Sequence, residues 1–312
     1  MSAEQLYLKY KYIWAQQHNT MDSLFSYIQG YPFIEMDGYG NITVTNTEEN
    51  IPLPVFCCHL DTVHEDAPEP ELLGNDVLTS FNGHGVGGDD KCGIVACLEL
   101  LEKVPCKCIF FRDEETGCRG AKEYDAKSLE NELFCIEIDR RNGGDLITSV
   151  YGTKMCSDEF IARVKESLPH CKEAIGAYTD ISKLGDANLN MLNISAGYYN
   201  PHSSNEYVIL SELKRNIDGL AVFAQSIMDK PLTQKEYNKR DETTGTYQSN
   251  YWWKGKTYHN AQNEPDLYGA TGDEDYNALQ YGSPHRGRDY PADYGSVAVI
   301  EDYNKKNKGN KK

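Results

Sequence analysis

No apolar run in the 312 residues approaches the roughly 20 residues a helix needs to cross a bilayer. None opens the chain in the manner of a secretory signal, so neither a membrane partner nor an exported precursor is expected. Cations are scarce: 31 basic residues face 48 acidic ones, for a formal net charge of −17. Such a chain repels phosphates, which excludes nucleic acid as an expected partner. Internal repeats are absent. Cys106-Lys107-Cys108 has no matching second pair, which argues against a structural zinc knuckle. Several of the ten cysteines lie inside apolar runs such as Val55-Phe56-Cys57-Cys58. They read as small buried hydrophobes carrying reduced thiols, and the expected compartment is cytoplasmic.

The largest deficit is C-terminal. Leu232, Leu267, Leu279, Val297, Val299 and Ile300 are the only leucine, valine or isoleucine residues between 232 and 312. So little aliphatic surface cannot offset the entropy of ordering that many residues. The spacing of composition therefore predicts a folded domain over 1–231 and a polar, disordered tail over 232–312. The tail balances 12 acidic against 12 basic residues, so the full charge of −17 belongs to the domain. Tyr251-Trp252-Trp253 and the scattered tyrosines could serve as stickers for an unidentified protein partner; a passive solvated extension is the plainer reading.

What the domain does contain is an alternation of strand and helix patterns. A helix is predicted over residues 3–17 and a second over 21–29, followed by a hairpin whose turn is Asp37-Gly38-Tyr39-Gly40-Asn41. Continuous apolar runs at 53–58, 106–111, 133–138 and 191–196 read as strands buried on both faces. Helical patterns fall at 93–101, 120–129, 159–168 (capped by Asp158) and 212–228 (capped by Ser211). The fold class expected is α/β: a three-layer sandwich with a mostly parallel central sheet flanked by helices.

Chemistry-bearing residues follow these strands in order: His59, Asp61, Asp89, Glu114, Glu115, Asp139 and His202. Singly, each motif is weak; an isolated Glu-Glu pair is usually a solvated surface. Jointly they supply two imidazoles and several carboxylates at successive strand ends, a donor set suited to two divalent metals with room for a water. Asp61 sits too near His59 to share its metal comfortably and is expected to hold the His59 ring by a hydrogen bond. Asp89, reached through a glycine-rich approach at a helix start, is placed to bridge two cations. Adjacent Glu114 and Glu115 can point to different sides, so that one binds metal while the other handles protons. His18, His64, His170, His259 and His285 lack this context and read as ordinary; His84 reads as a loop residue with a supporting role open to it.

The motifs resemble those of the co-catalytic zinc peptidase superfamily, which includes peptidase T, the carboxypeptidase G and aminoacylase relatives, and the zinc aminopeptidases. His59-Leu60-Asp61-Thr62-Val63 is similar to the first zinc motif, and Gly88-Asp89-Asp90-Lys91-Cys92-Gly93 to the bridging-aspartate motif. Asp113-Glu114-Glu115-Thr116-Gly117 resembles the segment whose first glutamate is the catalytic base and whose second is a ligand. Glu137-Ile138-Asp139 and Pro201-His202-Ser203-Ser204-Asn205-Glu206 complete the set. The resemblance covers roughly residues 20–230. It implies catalytic Glu114 and Asp61, metal ligands His59, Asp89, Glu115, Asp139 and His202, and two divalent ions, zinc first with cobalt or manganese as alternatives. It implies an exopeptidase acting on small peptides, with N-acyl-amino-acid deacylation, or an inactive scaffold, as alternatives. Several members insert a lid domain between the last two ligands. The interval from Asp139 to His202 is too short for one, so the layout is that of the single-domain aminopeptidases.

Overall fold

The computed structural model describes residues 1–16, 21–151 and 153–233. The predicted tail from residue 234 onward lies outside the described residues. The chain opens with α1 (Ala3–Lys9) and α2 (Lys11–Trp14), where one helix was expected. Tyr10 breaks it, leaving helical geometry (φ −109°, ψ 24°) so that its buried hydroxyl donates to Glu99 at 3.0 Å. After α3 (Met21–Ile28), the predicted hairpin forms from β1 (Phe33–Met36) and β2 (Ile42–Thr45). One oxygen of Asp37 closes its turn by accepting from the main-chain N–H groups of Tyr39, Gly40 and Asn41.

The body of the domain follows: β3 (Pro54–His59), β4 (Pro70–Leu73), β5 (Val77–Ser80), α4 (Gly88–Lys103), β6 (Lys107–Phe111) and α5 (Arg119–Glu123). The helix predicted over 120–129 is split: α5 ends early, and Ala126–Leu129 is a separate 3₁₀ turn capped by Asp125. Then come β7 (Phe134–Arg140), β8 (Asp145–Val150), β9 (Thr153–Lys154), α6 (Asp158–Ser167) and β10 (Lys172–Gly176). Two 3₁₀ turns, Asp180–Lys183 and Gly185–Ala187, lead to β11 (Met191–Ser195), β12 (Tyr198–Tyr199), β13 (Tyr207–Ile209) and α7 (Leu210–Asp229).

The main sheet runs β1-β2-β6-β3-β7-β11-β8-β10, with β9 paired to β8. Its centre is parallel: β6, β3, β7 and β11 share one direction, and antiparallel pairs lie towards the edges. Alternation along β3 sends Phe56 and Cys58 into one core and Val55 and Cys57 into the other, which makes the three layers. α4 is buried nearly all round, which explains its weak amphipathicity; its buried Glu99 is paired with Lys9 at 2.7 Å. A Cβ at Gly93 would strike the Ile138 carbonyl and Asp90, so only glycine lets α4 lie this close to the sheet. The rings of Phe134, Phe160 and Phe223 join β7 to α6 and α7 at centroid distances of 5.0–5.8 Å, a range that also covers the Phe56–Phe134 pair. Truncating such a ring to alanine costs about 3–5 kcal/mol.

Two expected caps are corrected. Ser157, not Asp158, caps α6, its hydroxyl accepting from the Phe160 N–H at 3.1 Å, while Asp158 pairs with Lys154. β13 passes directly into α7, so Ser211 is already inside the helix. Asp76, from the turn between β4 and β5, instead holds the first turn by accepting from the main-chain N–H and hydroxyl of Ser211. Just beyond the expected boundary at 231, Leu232 joins the main core cluster and Thr233 donates to Glu159. The described residues between Asp139 and His202 extend the main sheet rather than forming a body of their own. No helix among the described residues is long and apolar enough to cross a membrane.

Candidate metal centre

The parallel strands deliver their C-terminal ends to one crevice, the place where open α/β sheets bind ligands. His59 ends β3, Asp139 lies near the end of β7, and the loop after β6 carries Asp113, Glu114 and Glu115. Asp89 enters from the start of α4, and His202 from the loop between β12 and β13. Both latter positions depend on local backbone: Gly87 (φ 69°) turns the chain into α4, and His202 itself is left-handed (φ 59°).

The donor atoms converge as two triads that share Asp89. One is His59, Asp89 and Asp139; the other is Asp89, Glu115 and His202; within each, the atoms lie within 4.8 Å of one another. His59 Nε2 is 3.1 Å from Asp89 Oδ1 and 3.6 Å from Asp139 Oδ1. His202 Nε2 is 3.2 Å from Asp89 Oδ2 and 3.1 Å from Glu115 Oε1. Each oxygen of Asp89 therefore faces a different imidazole.

The electrostatics describe a site overloaded with negative charge. Burial and the charge of Asp89 push Asp139 up to about 6. Burial, with Asp139, Glu115 and Asp89 nearby, holds Glu114 well above the usual carboxylate range. Burial alone would depress the histidines. The surrounding carboxylates more than reverse this, raising His59 well above its ordinary value and His202 to about 12. Three carboxylates packed against two imidazoles, with Glu114 beside them, form a donor set whose natural counter-charge is a pair of divalent cations. The residues fit such a pair.

Neighbouring groups fix these donors. The ring hydrogen bond of His59 Nδ1 goes to the main-chain carbonyl of Asp61 at 3.0 Å, with the Asp61 carboxylate at 3.4 Å. Asp61 reaches the His59 ring as expected and does more: its two oxygens accept the main-chain N–H groups of Glu114 and Glu115, at 3.0 and 3.1 Å. A carboxylate can thus set the whole Glu-Glu turn while its own main chain sets the imidazole. Tyr198 donates to Asp139 Oδ1 at 3.1 Å, and Asn193 accepts the Asp139 N–H at 3.0 Å. Asn193 leads on through Thr179 to Glu137, whose other oxygen accepts the Asp180 N–H. The Cys118 thiol donates to Glu114 Oε1 at 3.4 Å.

Sequence reasoning missed one such group and misjudged another. Glu206, wholly buried, accepts the Gly87 N–H at 2.6 Å and the Asp89 N–H at 3.1 Å, and so grips the glycine-rich loop from both sides of Gly88. His64, read as ordinary, reaches the same carboxylate at 2.9 Å. The signal for Glu206 was its place four residues after His202; nothing in the sequence marked His64. His84 stays outside, exposed and 3.6 Å from Asp66, and His170 bonds Asn216 away from the site. His18, His259 and His285 lie outside the described residues. Cys57 and Cys58 are buried core thiols, as expected.

Neither a family model nor a curated protein sequence matches the chain. Solved structures do. The aminopeptidase PepT of Bacillus cereus superposes with a TM-score of 0.64 at 12% identity, over 73% of this chain and 99% of that one. A tripeptidase of Staphylococcus aureus gives 0.60 at 14% identity, over 73% and 99%. The Pyrococcus horikoshii TET1 peptidase, which can assemble into a tetrahedron or a large octahedral shell, gives 0.55 at 13% identity, over 72% and 99%. The fold of the metallo-aminopeptidases is therefore the fold of this chain. At these identities the likeness is one of architecture, and the chemistry rests on the residues above.

Proposed function

We propose that this chain is a metal-dependent hydrolase of small peptides, an aminopeptidase- or tripeptidase-like exopeptidase that works with two zinc ions. The observation carrying this reading is the pair of triads sharing Asp89, with one imidazole and one further carboxylate on each side. His59, Asp89 and Asp139 would hold one ion, and Asp89, Glu115 and His202 the other. Bound there, the ions would polarise a scissile carbonyl and acidify the attacking water.

The remaining work falls to the chain. Glu114 belongs to neither triad, yet its main-chain N–H is anchored by Asp61 beside that of Glu115. In this reading it would take the proton of the attacking water and pass it to the leaving amine, and its raised proton affinity suits both halves of that transfer. Asp61 and Glu206 keep the donors in register. Ten buried thiols support a cytoplasmic setting. The adjoining cavity, about 230 Å³, is smaller than the roughly 300–1,000 Å³ of sites for drug-sized ligands, which favours short substrates. The test is to load purified protein with zinc, cobalt or manganese and assay free-amine and N-acylated peptides side by side. Turnover confined to N-acylated substrates would move the assignment to a deacylase, and none with either would overturn it.

A further inference from the structure

The cavity at the candidate metal centre has a second chemical character. Beside Asp89, Glu114, Glu115, Asp139 and His202, its wall carries Lys122, Arg140, Arg141 and Lys183. These come from three separate stretches of chain. Arg140 and Arg141 directly follow Asp139 at the end of β7, and Arg140 is steadied by Asp145 at 3.2 Å. Lys122 lies on α5, shortly after the Glu114-Glu115 turn, and Lys183 ends the 3₁₀ turn that packs on α5. Lys183 is held over the ring of Tyr178, 4.0 Å from its centroid, and Tyr151 stands edge-on to that ring at 4.7 Å. A domain with a net charge of −17 thus gathers four cations around one small cavity. Solubility does not account for that placement, because general solvation would spread them over the surface.

We propose that this wall selects the substrate: the cavity takes short peptides with a carboxylate close to the scissile bond, and Lys122 and Lys183, with Arg141, receive it. The proposal rests on the hydrolase reading above. The carboxylate can be the free C-terminus of a two- or three-residue peptide or the side chain of an acidic residue next to the cleaved bond. Either presents the same charge to the same donors.

The experiment uses the full chain, metal-loaded, with metal content measured for every protein. Hydrolysis of trialanine is compared with that of trialanine amide, and of Ala-Glu-amide with Ala-Gln-amide. Calorimetric binding of trialanine and its amide is measured in parallel, so that selectivity is read even without turnover. The expected result is a preference of about 10- to 100-fold in kcat/KM for the charged member of at least one pair, mirrored in binding. The preference should shrink at high salt. The pair showing it identifies the source of the carboxylate. In the Lys122→Gln/Lys183→Gln double variant the preference should collapse, in turnover and in calorimetric binding alike. A Lys165→Gln control, which removes a charge from α6, should keep it, and the two single variants stand in if the double variant loses its metals. Equal handling of charged and neutral members, or a preference that survives in the double variant, overturns the proposal. Selective binding without turnover would instead count against the hydrolase reading alone.

Discussion

Glu206→Gln tests how far the glycine-rich loop depends on one buried carboxylate. Glu206 accepts from Gly87 and His64 through Oε2 and from Asp89 through Oε1, all without access to water. A glutamine has one oxygen. Whichever way its amide turns, an NH₂ faces either the Gly87 or the Asp89 main-chain N–H, and that donor is left unsatisfied. A buried unsatisfied donor costs about 1–3 kcal/mol, and loss of the charged acceptor adds to it. The expected destabilisation is therefore about 2–4 kcal/mol, well above the scatter of ordinary surface substitutions. Because the Asp89 main chain is one of the gripped groups, metal affinity should fall as well, by about 10- to 100-fold. Urea unfolding of the metal-free protein gives the first quantity, and competition with a chelating dye the second. A variant within about 0.5 kcal/mol of the parent, with unchanged metal affinity, would refute the idea that Glu206 positions the bridging aspartate.

Glu114→Gln should keep both metals and lose roughly 10²–10⁴-fold in kcat, while Glu115→Gln should lose one metal; metal analysis beside kinetics separates them. The metal-free protein should be more stable near pH 5.5 than near pH 8.5, as thermal melts would show. Asp139 raised to about 6, Glu137 to about 8 and His202 to about 12 each contribute stability that is complete below the group's unfolded pKa and lost as pH rises through the folded one. Zinc should reverse that ordering, since it competes with the same protons; a metal-free protein that gains stability over this range contradicts the electrostatics. Truncation after Lys230 should cost about 1–3 kcal/mol relative to truncation after Thr233, because only the shorter chain loses the burial of Leu232 and the Thr233–Glu159 bonds. Equal melting of the two would remove Leu232 from the core.

The strands legible in the sequence were those buried on both faces. β3, β6, β7 and β11 announce themselves as apolar runs, and the donors placed at their ends met in space. β8 and β10 were missed because they lie towards an edge: β10 is largely exposed, so Lys172-Glu173-Ala174-Ile175-Gly176 carries no core pattern. β4 and β5 were missed for a different reason, since the second sheet they form with β12 and β13 is assembled from pieces too short to pattern. The ordering of α7 by Asp76 and of Asp89 by Glu206 spans more than a hundred residues in each case, and local spacing carries no trace of such pairings. Charge gave the domain's sign but not its distribution. Four cations contributed by separate segments became one wall only on folding.

Lys91 gives the first residues of the chain a stake in the chemistry. Its buried ammonium donates to the carbonyls of Trp14, Gln16 and Val86, at 3.1, 2.6 and 3.0 Å, and burial lowers it to about 8. Two of those three acceptors belong to the N-terminal segment, whose α2 packs on α4. If that segment is shaved away or displaced, the ammonium must lose its proton or turn towards solvent, and the residue that moves is two positions from Asp89. Injury at the start of the chain would then surface as a failure to hold metal, with the sheet intact. An N-terminal fusion that crowds α2 would then leave a folded protein that binds metal poorly.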